Sequence, residues 1–95
     1  MKIRILGKVW NLRFPYLDIT KHRGSCDDPS TPHKEIKVAA QLKGEERLSI
    51  LIHEVKHASN WVMYSEEYVD QFSKDLARIL WRLNYRCMDE DDKNE

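Results

Sequence analysis

The chain reads as an α+β domain: a small antiparallel sheet of two to three strands, packed on one helix with a second, longer helix beside it. Three observations predict this. Apolar and charged residues alternate with period two over residues 1–14 and again over 35–39, the mark of half-buried strands. Over residues 48–55 and 69–83 the apolar spacing lengthens to that of a helix. The 95 residues amount to about one domain, with no internal repeat and no linker. Residues 1–88 form that domain, and residues 89–95, almost all charged, read as a disordered acidic tail.

The elements follow in order. Ile3 and Ile5 alternate with Lys2 and Arg4, and Trp10, Leu12 and Phe14 alternate with Asn11 and Arg13. Gly7-Lys8 between the runs is either a tight hairpin turn or a glycine bulge in one long strand. Pro15 ends the pattern because it has no N–H for a ladder. Residues 16–33 lose all periodicity and are rich in turn formers, among them Gly24, Asp27, Asp28, Pro29 and Pro32, so they read as one long loop. Ile36 and Val38 alternate with Glu35 and Lys37, a short strand whose charged outward positions suit a sheet edge.

Lys43-Gly44 breaks the chain, and Glu45 and Glu46 open a helix with the favourable dipole sign. Leu48, Leu51, Ile52 and Val55 line one side of that helix and Ile50 another, as in a helix held between two layers. Residues 60–64 form a bend, and Ser65 is the N-cap of the second helix. Val69, Phe72, Leu76, Ile79, Leu80 and Leu83 make its core-facing stripe, which ends near Asn84. Trp10, Trp61 and Trp81 fall in separate elements and read as core.

Composition narrows the function classes. Sixteen Lys and Arg balance sixteen Asp and Glu, so no net field draws the chain to nucleic acid or to a membrane, and neither partner is predicted. No run approaches 18 apolar residues. The alternating start lacks the apolar core of a signal peptide, and two cysteines, Cys26 and Cys87, are too few for a disulfide scaffold. The expectation is a cytoplasmic protein with reduced thiols. A core this small gains from pairing, which leaves an oligomer open.

The segment that carries chemistry is His53-Glu54-Val55-Lys56-His57, inside the first helix. Four residues advance a helix by about 40° net, so both imidazoles leave one face, one turn apart, spaced for a single tetrahedral Zn²⁺. Glu54 is rotated off that direction and can reach a water to take its proton as the water attacks a carbonyl. This is the H-E-x-x-H pattern, meaningful only on a helix. A third ligand is required, and Glu66, Glu67 and Asp70 open the second helix. At about 100° per residue, Glu66 lies beside the apolar stripe while Glu67 points away from it. Glu66 is therefore the candidate third ligand, completing a His₂Glu set with one open position. Asp70, one turn on, is placed to accept the second N–H of a ligand histidine.

His53-Glu54-x-x-His57 followed by Glu66-x-x-x-Asp70 resembles the gluzincin zinc metallopeptidases. The short gap is also similar to that of ImmA/IrrE-type and SprT-like peptidase domains, whose second helix opens with a stretch like residues 66–72. The run 47–52 matches the apolar lead-in these families share. More loosely, Gly24-Ser25-Cys26-Asp27-Asp28-Pro29 looks like a loop of small phage-encoded proteins. The resemblance spans about residues 36–83 and implies a minimal zincin. In it His53, His57 and Glu66 would hold zinc, Glu54 would be the base and Asp70 a supporting carboxylate. A peptide or protein substrate would lie along the strand 35–39 by strand addition.

Zincins often add a His, Tyr or Arg to stabilise the oxyanion, and His33, His22, Tyr64 and Tyr68 are the candidates, with no sequence basis for choosing among them. Cys26, followed by Asp27 and Asp28, is either a latent metal ligand or a small buried apolar residue. Two other classes of function stay in view. One is a zinc-binding regulatory or interaction module, in which Cys26 or Asp28 closes the coordination shell. The other is an interaction domain without metal, its histidines hydrogen-bonded to carboxylates.

Overall fold

A computed structural model describes residues 1–62 and 65–86. Its elements in chain order are β1 (Lys2–Ile5), β2 (Lys8–Arg13), β3 (Gly24–Cys26), β4 (Glu35–Val38), α1 (Gly44–Ser59) and α2 (Glu66–Arg82). The class is α+β, as the periodicities predict. The sheet differs in detail from the expectation: it has four strands, in the order β1-β2-β4-β3, and it is mixed. β1 and β2 are antiparallel, β4 and β3 are antiparallel, and β2 and β4 run parallel. Residues 63, 64 and 87–95 lie outside the described residues, and with them Tyr64, Cys87 and the acidic segment 89–95.

β1 and β2 form a hairpin. Ile5 pairs with Lys8, so the turn is Leu6-Gly7, one residue earlier than the sequence suggests. Both turn residues have positive φ, +48° at Leu6 and +80° at Gly7, the pattern of a type I′ turn. Glycine adopts that geometry freely; for Leu6 it costs roughly 1 kcal/mol.

β3 replaces part of the expected loop. Its three residues carry no apolar alternation, which is why sequence pattern passes over it. Its presence also moves β4: the strand expected at the edge sits between β2 and β3, and β3 is the edge. Gly24 makes this packing feasible. A Cβ there would lie 2.8 Å from Ile50 Cγ2, 2.9 Å from the Lys37 carbonyl and 3.0 Å from Glu54 Oε2. Only a residue without a side chain lets β3 approach α1 this closely.

Trp10, Leu12, Ile36 and Val38 form the centre of the core with Ala39, Leu42 and Ala58, and Ile3, Ile5, Leu51 and Val55 pack around them. α1 contacts the sheet on one side and α2 on the other, so the two-sided apolar pattern has the predicted cause. α2 corrects its predicted stripe. The fully buried residues on it are Val69, Ser73 and Ala77, a row of period four. Small side chains let the two helices come together closely, and the bulky row is rotated to the flank: Phe72, Leu76 and Leu80 are half-buried, and Ile79 and Leu83 are exposed. Trp81 is half-buried, with the Arg86 guanidinium 3.9 Å from its ring. Trp61, expected in the core, is 41% exposed. Among the described residues no helix is long and apolar enough to cross a membrane.

Candidate metal centre

α1 supplies three of the site's side chains and α2 the fourth. The start of α2 is set by Ser65, whose side chain accepts a hydrogen bond from the Tyr68 N–H at 3.1 Å. The predicted N-cap is thus in place, and it makes Glu66 the first helical residue, facing α1. His53 Nε2 lies 2.6 Å from Glu66 Oε1, and His57 Nε2 lies 3.0 Å from Glu66 Oε2. The two rings stand 4.9 Å apart, edge to face. One donor atom from each of His53, His57 and Glu66 falls within 4.8 Å of the others, and this trio is a group that could hold a metal ion.

The fit of a metal to these residues can be tested on the histidines. The His53–Glu66 contact is a hydrogen bond in distance and angle. His57 is different: its Nε2 is inaccessible to solvent and lies 3.0 Å from Glu66 Oε2 without a well-aligned hydrogen bond. A buried ring nitrogen so poorly aligned to its one carboxylate neighbour is costly, and a cation shared with His53 and Glu66 would satisfy it better. Two imidazoles and a carboxylate are the donor set of an open zinc site. The residues fit.

Glu54 points elsewhere, as the helix geometry requires. It is 8% exposed, with its carboxylate against Gly24 of β3, and it shares a cavity wall with His53. Burial, reinforced by the negative charge of Glu66, pushes its pKa up to about 7. For Glu66, burial acts to raise the pKa, but contact with the two histidines more than offsets it and holds the carboxyl below its usual range. The paired acids therefore differ in character: one stays ionised and faces the histidines, while the other is poised to exchange a proton near neutrality.

Asp70 sits close to His53 without making the predicted bond. Its Oδ1 is 4.0 Å from His53 Nδ1, beyond hydrogen-bond range, and its Oδ2 is 2.9 Å from Lys74 Nζ. Cys26 lines a cavity with His53, Glu54, His57, Trp61 and Glu66, but its thiol donates to the Asp27 carbonyl at 3.4 Å and is not one of the three clustered donors. Burial, then the charges of Glu54 and Asp27, push that thiol up to about 12, so without a metal it is a neutral wall of the cavity. Asp28 is exposed and turns back onto Ser30.

Of the other candidates, the described ones are not brought to the site. His33 is exposed in a turn with φ +54°, His22 is exposed, and neither lines the cavities at the cluster. Tyr68 is exposed and stacks on Phe72 at 6.0 Å. Gly24 and Trp61 are the wall residues that sequence reasoning missed. No local signal marks either one: Gly24 is twenty residues from α1 along the chain, and Trp61 lies past the helix end at Ser59, so its four-residue step from His57 is not a helical one.

No family model matches the chain, no curated protein matches its sequence, and no solved structure matches it. The case for function accordingly rests on the site's own chemistry.

Proposed function

We propose that the chain is a zinc-dependent peptidase of minimal zincin type, acting on a peptide or protein substrate. The observation that carries the reading is the convergence of donor atoms from His53, His57 and Glu66 within 4.8 Å of one another, with the buried His57 Nε2 poorly aligned to Glu66, beside the buried carboxyl of Glu54. His53, His57 and Glu66 would hold the ion. When bound, Zn²⁺ polarises a carbonyl and lowers the pKa of water towards about 7.

Glu54 moves the proton. Its carboxylate accepts one from the attacking water and, now neutral, returns it to the leaving amine; a pKa near 7 suits both directions. Burial against Gly24 keeps that carboxyl in one place and away from bulk water. The substrate lies along β3. Arg23, Ser25 and Asp27 face β4: the Ala39 N–H donates to Arg23 O, the Asp27 N–H donates to Glu35 O, and Ser25 is in register with Lys37. By the alternation of an antiparallel ladder, the peptide groups of Gly24 and Cys26 point outward and are available to an added strand. This moves the substrate from strand 35–39, where the family resemblance would place it, to its neighbour. A closed structural zinc site would need a fourth protein ligand. Neither Cys26 nor Asp28 is among the clustered donors, which favours catalysis over a purely structural ion.

The test is hydrolysis by zinc-loaded protein of a fluorogenic peptide library, with Glu54→Gln as the paired variant. The variant should retain one equivalent of zinc and lose activity by at least a hundredfold. Equal inactivity of both proteins across the library, with zinc bound, would overturn the peptidase reading.

A further inference from the structure

Two cavities meet at the metal-ligand cluster, and they differ in chemistry. Both include Gly24, His53, Glu54 and Glu66. The larger, about 580 Å³, runs past Arg23, Glu46, Lys74 and Arg78, and its far wall is charged. The smaller, about 470 Å³, adds His57, Cys26 and Trp61 to those four shared residues. Away from the ligand cluster and Glu54, its lining is thus the thiol of Cys26 and the indole of Trp61, and it lacks the basic side chains of the larger cavity.

The indole's position follows from the chain. α1 ends at Ser59, Asn60 leaves the helix with extended backbone, and Trp61 folds back onto the face that carries His53 and His57. It remains 41% exposed, beside Val62 at 84%. Tryptophan is costly to leave facing water, and large exposed aromatic rings at a cavity wall are the usual anchors for ligand side chains. A strand paired to the outward peptide groups of Gly24 and Cys26 would run along the opposite wall of this cavity.

Building on the peptidase reading, we propose that Trp61 is the specificity-determining residue of the site: it forms, with Cys26, a subsite for an aromatic side chain immediately beside the scissile bond. The substrates would then be extended peptides with Phe, Tyr or Trp next to the cleaved bond, and Trp61 would stack on that ring.

The experiment uses binding, so that it does not depend on turnover. Zinc-loaded full-length protein is titrated calorimetrically with acetohydroxamate and with 3-phenylpropionohydroxamate, two uncharged metal-directed ligands that differ by a benzyl arm. The phenylpropionohydroxamate should bind at least tenfold tighter. Trp61→Ala should reduce that advantage to within about threefold, Trp61→Phe should keep most of it, and zinc content should be unchanged in both. Equal affinities for the two ligands, or an advantage that survives Trp61→Ala, would overturn the inference. So would failure of the protein to take up zinc, which would remove the peptidase reading as well. Retention of the aromatic preference without cleavage of any peptide would support the subsite and reject hydrolysis, which separates the two claims.

Discussion

In protein stripped of metal by a chelator, Glu54→Gln removes a carboxyl whose ionisation the fold opposes, and the consequence can be worked out in sign and size. The folded pKa of about 7 lies above the ordinary value of 4.5, because the side chain is buried and faces Glu66. Below pH 4.5 the group is protonated whether the chain is folded or unfolded, and it contributes no pH dependence. As pH rises through 4.5 the unfolded chain releases the proton while the folded chain holds it, so stability falls; above pH 7 both have lost it and the penalty is complete. At 1.36 kcal/mol per unit, the cost to the wild type is about 1 kcal/mol at pH 5 and about 3 kcal/mol at pH 8. Glutamine does not titrate. Urea denaturation of both proteins between pH 5 and 8, in chelator, should therefore show the variant's advantage growing by about 2 kcal/mol across the window. Zinc should narrow the gap at pH 8, since a nearby cation favours the carboxylate. A difference between the two proteins that is flat with pH would refute the burial argument, and with it the account of Glu54 as a proton carrier near neutrality.

Three further outcomes can be measured on simple variants. Zinc at a hundred times its Kd should stabilise the wild type by about 2.7 kcal/mol, a rise in Tm of about 10 °C or more, and His57→Ala should abolish that rise in a thermal melt. Gly24→Ala places a Cβ 2.8 Å from Ile50 Cγ2 and 3.0 Å from Glu54 Oε2, so it should cost about 1–3 kcal/mol in urea and lower hydrolysis while zinc is retained. Leu6→Asn relieves a leucine held at φ +48° in a type I′ turn and should raise stability by about 1 kcal/mol, read from the urea midpoint at unchanged slope.

The division between what could be read from the residues and what could not follows the physics of each element. Two periodicities were enough for the strands β1, β2 and β4 and for both helices, because each of these elements turns one side to the core. The α2 start was equally local: Ser65 caps it and thereby positions Glu66 one turn-end away from the histidines. β3 was hidden because Gly-Ser-Cys has no alternating pattern and is defined only by its pairing with β4. The α2 packing face was misjudged for a related reason. Ser73 and Ala77 are not bulky, and it is their smallness that brings α1 close, an effect a hydrophobicity stripe does not register.

The α+β class, the H-E-x-x-H helix and Glu66 as the candidate partner of its histidines were legible along the chain, since helical spacing and a capping serine act over a few residues; the contacts themselves come from the packing of α2 on α1. Tertiary structure alone decided that β3 and not β4 is the free edge, that Glu54 is buried against Gly24, and that Trp61 stands at the cavity wall instead of in the core. Each of those depends on how closely two distant segments approach, and close approach is governed by side-chain volume and layer packing, which no local pattern along the chain encodes.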